Sequence, residues 1–325
     1  MKNSKRCVSV CMITYNHANY ISEAIEGVLN QKTDFDYEIV IGEDCSSDQT
    51  REIVLEYKKK YPEKIKLILQ EKNVGALRNL TDALNACNGK YIAFCEGDDY
   101  WIDPNKLQIQ IGLMNVYPEL SMSFHPSWVV TKRRKYLKWK YSDSFMRYSI
   151  KDILNIPGQF APTASVVIKS EIVKKLPDWF QYAPIGDFFI EIYSSLNGEI
   201  LYIPKCMSVY RSNTENSFSK TILLNYKSDK VLNFYNSMLK YYELIKKDIP
   251  SENIEFLNKK IASTYYGKSL YYLVNKNYSL FIHEIQRSYG LSKNISLLYR
   301  VLYKIRKLPK LARLLYILKI KILYE

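Results

Sequence analysis

Residues 91–107 read Tyr-Ile-Ala-Phe-Cys, then Glu-Gly-Asp-Asp, then Tyr-Trp-Ile, then Asp-Pro-Asn-Lys-Leu. The first five are apolar or aromatic, which is typical of a strand covered on both faces in a parallel sheet. Asp103 before Pro104 predicts a helix start, because a carboxylate caps a helix and proline fits its first turn. Glu96, Asp98 and Asp99 therefore lie at the carboxyl end of a strand, where open α/β sheets bind ligands.

Carboxylates this close in sequence repel one another unless a positive charge lies between them. A hard divalent cation such as Mg²⁺ or Mn²⁺ supplies that charge and keeps coordination sites for phosphate oxygens. A solvated acidic turn that caps the next helix explains the same residues. The loop alone leaves both interpretations open.

The first 110 residues alternate between apolar runs and helical patterns. Strands are predicted at 7–13, 39–42, 65–69 and 91–95, and helices at 20–31, from Ser47 or Asp48 to Lys60, and at 76–88. This order predicts an α/β fold with a mostly parallel, Rossmann-like sheet flanked by helices. Three strand ends carry polar clusters, at 14–16, 43–44 and 96–99.

The composition limits the protein class. The 325 residues are 47% hydrophobic and 25% charged, as in a globular protein with one large domain and an appendage. Six scattered cysteines without a Cys-x-x-Cys pair argue against a zinc site and favour reduced thiols in a cytoplasmic protein. No transmembrane helix is expected, since no uncharged apolar run reaches 18 residues. The formal charge of +14 predicts an anionic partner.

Four stretches in order resemble the family 2 glycosyltransferases, which have the GT-A fold. They are residues 8–16, 43–48, 73–79 and 96–99, reading Val-Ser-Val-Cys-Met-Ile-Thr-Tyr-Asn, Glu-Asp-Cys-Ser-Ser-Asp, Asn-Val-Gly-Ala-Leu-Arg-Asn and Glu-Gly-Asp-Asp. One such stretch is a weak signal, whereas four at the familiar spacing are specific. The resemblance implies a nucleotide-sugar donor and a divalent cation, Mn²⁺ or Mg²⁺.

In that family the ends of the first two strands hold the nucleotide base. The resemblance implies that Thr14, Tyr15 and Asn16 line a uracil and that Asp44 accepts its ring N–H. A carboxylate suits uracil, because its N3 donates a hydrogen bond whereas N3 of cytosine accepts one. A plain turn residue is the other interpretation of Asp44.

Two further stretches are implied to contact the nucleotide. Asn73, Gly75 and Arg78 resemble the family's third loop, although Arg78 also fits a solvated helix position. Arg211 resembles a family arginine on a loop over the diphosphate, where it contacts phosphate. Asn213 stands where the family often has a histidine, which removes a possible metal ligand.

The family's Asp-x-Asp element corresponds to Glu96-Gly97-Asp98, followed by Asp99. The resemblance implies a ribose contact for Glu96, where the family has aspartate, and metal binding by Asp98 and Asp99. The choice between these two as principal ligand stays open. The metal would neutralise the charge that develops on the diphosphate leaving group.

Asp187 follows a glycine at the start of a predicted helix that runs to about Leu196. The resemblance implies that Asp187 is the catalytic base of an inverting enzyme, because one-step displacement needs a carboxylate to take the acceptor hydroxyl proton. An ordinary helix cap explains the same residue, and both roles are compatible.

The rest of the first 220 residues predicts less. Residues 121–130 read as one strand containing His125, which either faces the acceptor or is simply packed. Residues 131–148 are basic and aromatic, as in a variable loop or hairpin. Residues 200–204 and 207–210 predict a closing hairpin.

Helical patterns continue from about residue 221 to the end. Residues 288–325 contain nine Lys or Arg against one Glu, a net +8 of the total +14. Apolar stripes on two helices alternate with these charges, which suits an anionic bilayer surface. The other interpretation is a hairpin packed on the catalytic domain with a solvated basic face. The stripes are Leu298, Val301, Leu302, Ile305 and Leu308, then Leu311, Leu314, Leu315, Leu318 and Ile322.

We therefore predict a GT-A catalytic domain at 1–220 and a basic helical region at 221–325. The predicted function is an inverting transfer of a sugar, favouring a UDP-linked donor, to a hydroxyl of a glycan or lipid-linked glycan in cell-surface polysaccharide synthesis. The predicted location is cytoplasmic, peripheral on the inner face of the membrane. A sugar nucleotidylyltransferase would need a glycine-rich phosphate loop after the first strand, and residues 14–20 contain no glycine. A nucleic-acid-binding module would spread its charge along a groove, so no nucleic acid partner is expected.

Overall fold

Apolar runs near the amino terminus form half of an eight-stranded sheet. The computed structural model describes residues 7–212 and 228–324, with side chains through residue 319. Residue contacts divide the chain into two units, Met1–Thr214 and Glu215–Glu325. The predicted boundary between residues 220 and 221 lies outside the described residues, as does Asn213.

Four parallel strands lie in the order β3-β2-β1-β4. They are β1 (Val8–Thr14), β2 (Tyr37–Glu43), β3 (Ile65–Leu69) and β4 (Tyr91–Phe94). The helices between them are α1 (Ile21–Leu29), α2 (Thr50–Lys60) and α3 (Ala76–Ala86). Every residue of β2 and β4 is buried, because both faces of the sheet are covered. The predicted strand and helix order is confirmed.

The other half of the sheet is mixed, in the order β10-β6-β11-β9 after β4. It comprises β6 (Leu120–Phe124), β9 (Met146–Tyr148), β10 (Val167–Lys169) and β11 (Glu199–Tyr202). β10 runs antiparallel to β4 and β6, and β11 runs parallel to β6. The helices here are α4 (Lys106–Val116), α5 (Ile150–Asn155), α6 (Ser170–Val173) and α7 (Asp187–Leu196). The end of α7 matches the prediction, whereas α4 begins three residues after Asp103.

A second sheet has the order β5-β12-β7-β8. Its strands are β5 (Tyr100–Trp101), β7 (Ser127–Val130), β8 (Lys135–Lys138) and β12 (Ser208–Arg211). The single strand predicted at 121–130 is wrong, because the chain leaves the large sheet at Phe124 and enters the small one at Ser127. Pro126 lies at this switch, where its missing N–H costs no ladder hydrogen bond.

The predicted closing hairpin is also wrong. The one at 200–210 separates into β11, which pairs with β6, and β12, which pairs with β7. Residues 131–148, predicted as a variable loop or hairpin, contain β8, which forms a hairpin with β7, and β9, which pairs antiparallel with β11. Tyr141 between them packs among Phe124, Tyr148, Phe160 and Tyr202, with ring centroids 5.7–6.0 Å from its own.

The second unit is helical in its described part. Its helices are α8 (Asp229–Ile245), α9 (Ile254–Val274), α10 (Tyr278–Leu291), α11 (Leu297–Lys304) and α12 (Pro309–Tyr324). Tyr299, Leu302 and Ala312 of α11 and α12 are fully buried in its core. Among the described helices, none is both long enough and apolar enough to span a bilayer.

Candidate active site

The acidic loop after β4 lies directly against the end of β1. Gly97 donates its amide to the carbonyl of Ile13 at 2.9 Å. A Cβ at position 97 would lie 2.6 Å from Oγ1 of Thr14 and 3.1 Å from Nδ1 of His17. Both distances are shorter than ordinary van der Waals contacts, so this approach requires glycine.

Asp98 follows Gly97 in this loop, with 16% of its side chain exposed. We use the word cleft for the region at the carboxyl ends of β1, β2 and β4, beside the start of α7. Its Oδ2 is 4.0 Å from Nε2 of His17, whose Nδ1 is 3.2 Å from Oγ1 of Thr14. Burial lowers the pKa of His17 below its ordinary value, although the Asp98 charge opposes the shift. Sequence reasoning did not select His17, because a polar residue just after a strand carries no signal of its neighbours.

Asp99 points the other way and is fully buried. Its Oδ1 accepts the backbone amide of Arg211 at 2.9 Å. Its Oδ2 is a buried atom for which residues 7–212 and 228–324 provide no hydrogen-bond partner. Burial and the Asp98 and Glu96 charges raise the pKa of Asp99 well above its ordinary value. Asp99 thus joins the acidic loop to the end of β12.

The side chain of Arg211 packs across the same loop. Its Nη1 donates to the carbonyl oxygen of Asp98 at 2.6 Å, and its Nη2 pairs with the carboxylate of Glu23. The guanidinium also lies 4.3 Å from the Tyr100 ring centroid and 5.1 Å from that of Tyr20. Arg211, for which the family resemblance implies a phosphate contact, therefore lies beside the acidic loop.

Asp44 forms a second part of the cleft at the end of β2. Its Oδ1 accepts the amide of Val74 at 2.7 Å, and its Oδ2 accepts that of Gly75 at 3.0 Å. Asn73 donates from Nδ2 to the carbonyl of Asp44 at 3.3 Å. Gly75 has φ of 88°, a conformation that favours glycine. The structure therefore brings Asp44, Asn73 and Gly75 together, and their contact with a nucleotide stays a prediction.

The segment after β1 is tied to the loop after β2. Asn16 has φ of 56°, its amide donates to Oγ of Ser46 at 2.9 Å, and its Oδ1 accepts the amide of Ser47 at 2.8 Å. Thr14 is buried, and Tyr15 is 36% exposed at the surface. Asn16 thus holds the two strand ends together.

The charge of Asp187 acts on Glu96 of the acidic loop. Burial, followed by the charges of Asp98 and Asp187, raises the pKa of Glu96 to about 8. Asp187 begins α7, and its Oδ1 accepts the amide of Phe188 at 2.8 Å. Burial raises its pKa above the ordinary value. Three acids from β4 and α7 therefore converge on one region.

Arg78 lies on α3 with its side chain about half exposed. It donates from Nε to Asp82 Oδ2 at 3.2 Å, and its Nη1 donates to Gln181. Gln181 belongs to the turn that precedes Asp187. Arg78 therefore borders the cleft on the Asp187 side, bound to these two side chains.

A buried polar cluster supports the acidic loop from behind. Lys106 is fully buried, donates to Gln110 Oε1 at 2.7 Å and lies 4.1 Å from the Trp101 ring centroid. Burial lowers its pKa to about 7. His125 is also fully buried, with Nδ1 2.9 Å from the carbonyl of Pro126, so it is a packed side chain and does not face an acceptor. Lys106 had no sequence signal, since a lysine at a helix start usually reaches solvent.

The cleft offers few protein ligands for a cation. In the parts of the chain with described positions, no group of three or more His, Cys, Asp or Glu side chains could hold a metal ion. The pair of Asp98 and His17 provides two donors, and Mg²⁺ or Mn²⁺ commonly takes further ligands from water and phosphate. The donor set thus fits a cation that binds together with a diphosphate.

The comparisons with known proteins agree with this geometry. The family model described as glycosyl transferase family 2 matches residues 9–176, which is more than half of the chain. The chain belongs to glycosyl transferase family 2. Similarity to solved structures confirms the predicted GT-A fold. Staphylococcus aureus TarS 1–349 with UDP-GlcNAc has a TM-score of 0.69 at 17% identity, covering 94% of this chain and 89% of that one.

Two other similar proteins carry names that bear on function. The Escherichia coli protein WfgD, named a UDP-Glc:alpha-D-GlcNAc-diphosphoundecaprenol beta-1,3-glucosyltransferase, is 41% identical over 107 residues, covering 33% of this chain and 40% of WfgD. The Pyrobaculum calidifontis mannosyltransferase PcManGT, solved with GDP-Man and Mn²⁺, has a TM-score of 0.57 at 13% identity, covering 96% and 87%. The chain spans 58% of the length of the first curated relatives it matches.

The raised pKa of Glu96 predicts that the stability of this protein, without bound metal, depends on pH. The folded state holds a proton up to about pH 8, whereas an unfolded glutamate loses it near 4.5. The free energy of unfolding should therefore fall as pH rises through this window, by up to about 1.4 kcal/mol per pH unit from this group. Glu96→Gln should remove that part of the slope in urea titrations at pH 5–8. The exposed control Glu52→Gln should keep it, and an unchanged slope in Glu96→Gln would contradict the assignment.

Proposed function

We propose that this chain is an inverting, metal-dependent glycosyltransferase that moves a sugar from a UDP-linked donor to a hydroxyl of a glycan or lipid-linked glycan. The observation that carries the proposal is the proximity of Glu96, Asp98 and Asp187 to one another, with Asp44 bonded to Thr14 at the neighbouring strand end. Such a cleft has one end for a nucleotide base, a cation-binding carboxylate and a separate carboxylate for proton transfer. Family membership adds support.

The base pocket favours uridine. Each oxygen of Asp44 accepts one backbone amide and keeps a second lone pair, so the carboxylate is fixed in place and can still accept uracil N3–H. The names of WfgD and of the TarS complex include UDP-sugars, while PcManGT was solved with GDP-Man. The fold alone therefore does not select the nucleotide, and the donor preference rests on Asp44 together with Thr14, Tyr15 and Asn16.

Asp98 is the proposed metal ligand, because its partly exposed carboxylate lies at the cleft among other acids. When bound, the cation neutralises charge on the diphosphate. Asp99 was predicted as a second ligand, but its burial and its bond to the Arg211 amide favour a positioning role. Through this bond Asp99 would hold Arg211, which we propose contacts the donor phosphates.

Asp187 is the proposed general base. The acceptor hydroxyl gives its proton to the Asp187 carboxylate while its oxygen forms a bond to the anomeric carbon of the donor. The bond between that carbon and the diphosphate breaks, and UDP leaves with the electron pair. The raised pKa of Asp187 strengthens it as a base toward a hydroxyl proton.

Replacing Asp187 tests this role. Asp187→Asn keeps the size of the side chain and an oxygen for the Phe188 amide, but it cannot take a proton. We expect sugar transfer to fall about 10²–10⁴-fold, with UDP affinity changed less than about threefold. The control Asp178→Asn changes an exposed acid nine residues away and should keep full activity. Retained transfer in Asp187→Asn, measured by release of UDP with a saturating acceptor, would remove Asp187 as the base.

The carboxyl-terminal helices support association with an anionic membrane surface. Four leucines of α12 remain 37–55% exposed, whereas the core of the helical unit takes Ala312 from the same helix. Basic residues flank the exposed side chains, among them Lys310 and Arg313. An apolar stripe between cations suits the boundary of an anionic bilayer. A lipid-linked acceptor at that surface would give this arrangement a purpose. The four exposed leucines of α12 are Leu311, Leu314, Leu315 and Leu318.

Binding to vesicles tests this proposal. The full chain should sediment with phosphatidylglycerol vesicles and not with phosphatidylcholine vesicles, and salt should weaken the binding. Leu314→Gln with Leu318→Gln should weaken it at least tenfold, because inserting each half-exposed leucine is worth about 1 kcal/mol. The control pair Leu55→Gln with Leu280→Gln removes exposed leucines elsewhere and should bind as the wild type. Equal binding by both pairs would contradict a role for α12.

A further inference from the structure

We propose that His17 is a second protein ligand of the cation and makes the site prefer Mn²⁺ to Mg²⁺. The inference rests on the proposed function, since it assumes that Asp98 holds a cation with the donor diphosphate. It adds a residue from the segment after β1 to a site otherwise formed by the acidic loop after β4. It also decides between two ions that the sequence left open.

The separation of the two side chains fits a shared ion. Nε2 of His17 lies 4.0 Å from Oδ2 of Asp98. Two ligands at about 2.1 Å from one octahedral ion lie about 3.0 Å apart in neighbouring positions and about 4.2 Å apart in opposite ones. The observed distance lies between these values. A small side-chain rotation therefore brings both atoms into one coordination sphere.

The imidazole ring is held in an orientation suited to ligation. Its Nδ1 is 3.2 Å from Oγ1 of Thr14, and the His17 amide donates to Oγ1 of Thr50 at 2.8 Å. Gly97 packs against the ring, since a Cβ there would lie 3.1 Å from Nδ1. Metal-binding histidines commonly use the second nitrogen in a hydrogen bond, which fixes the tautomer and the ring direction. With the proton on Nδ1 donated to Oγ1 of Thr14, which is the tautomer that ligation requires, Nε2 keeps its lone pair and lies nearest Asp98.

A nitrogen ligand changes the choice of ion. Mg²⁺ prefers oxygen ligands and loses its waters reluctantly, whereas imidazole binds transition metals well. With Asp98 and phosphate alone, the site would consist of oxygen donors and accept both ions. With His17 it would bind Mn²⁺ more tightly. The affinity ratio of Mn²⁺ to Mg²⁺ is therefore the quantity that His17 should control.

The test measures metal binding directly and needs no acceptor. Electron paramagnetic resonance on the full chain with UDP gives the Mn²⁺ affinity, and competition gives that of Mg²⁺. We expect His17→Asn to weaken Mn²⁺ binding at least tenfold and Mg²⁺ binding less than threefold. The matched control His283→Asn changes an exposed histidine of the helical unit and should leave both affinities unchanged.

A second readout uses the unmodified chain, so it does not depend on the fold of a variant. Electron spin echo of the Mn²⁺–UDP complex should show coupling to a histidine nitrogen, and ¹⁵N-histidine labelling should change it. The chain has three histidines, and His125 is fully buried. Bound Mn²⁺ without nitrogen coupling, or an unchanged affinity ratio in His17→Asn, would overturn the inference and leave the proposed function standing. Absence of Mn²⁺ binding in the wild type would overturn both.

Discussion

Mutual repulsion among three carboxyl groups is the constraint on which the cleft depends. Glu96 and Asp98 follow β4 and Asp187 begins α7, and burial together with the charges of Asp98 and Asp187 raises the pKa of Glu96 to about 8. A folded protein that keeps such a cluster either holds protons there or binds a cation. We infer the cation, because the Asp98 side chain is partly exposed and the proposed nucleotide-sugar donor would add a diphosphate that shares it. Repulsion among the carboxylates would then explain two things: the cluster takes up a proton when no cation is present, and it binds a cation when the donor is present.

Close backbone packing makes that convergence possible. Gly97 lets the acidic loop touch Thr14 and His17, and Asn16 ties β1 to the loop after β2. Asp99 extends the connection to the second sheet through the amide of Arg211. The loop after β2, the acidic loop and the end of β12 therefore form one connected frame. A substitution at Gly97 would alter several contacts together.

The sequence predicted the parts of this frame that depend on local patterns. β1, β2 and β4 are buried on both faces, so their apolar runs were visible, and the polar strand ends followed from them. The switch between sheets at Pro126 was missed, because apolar residues continue on both sides of it. His17 and Lys106 were missed for other reasons. His17 lies near Asp98, which is distant in sequence, and Lys106 is buried only because the fold closes around it. Asp99 was identified, but only burial separates its environment from that of Asp98.

Calorimetric titration of UDP, GDP and CMP, each with Mn²⁺ and with chelator, tests the central claim most directly. The account predicts that UDP binds most tightly, that chelator weakens its binding at least tenfold, and that Asp98→Ala has the same effect as chelator. The control Asp82→Ala removes an acid bonded to Arg78 and should keep the metal dependence. UDP binding that is indifferent to metal and to Asp98, or no preference for UDP, would contradict the account.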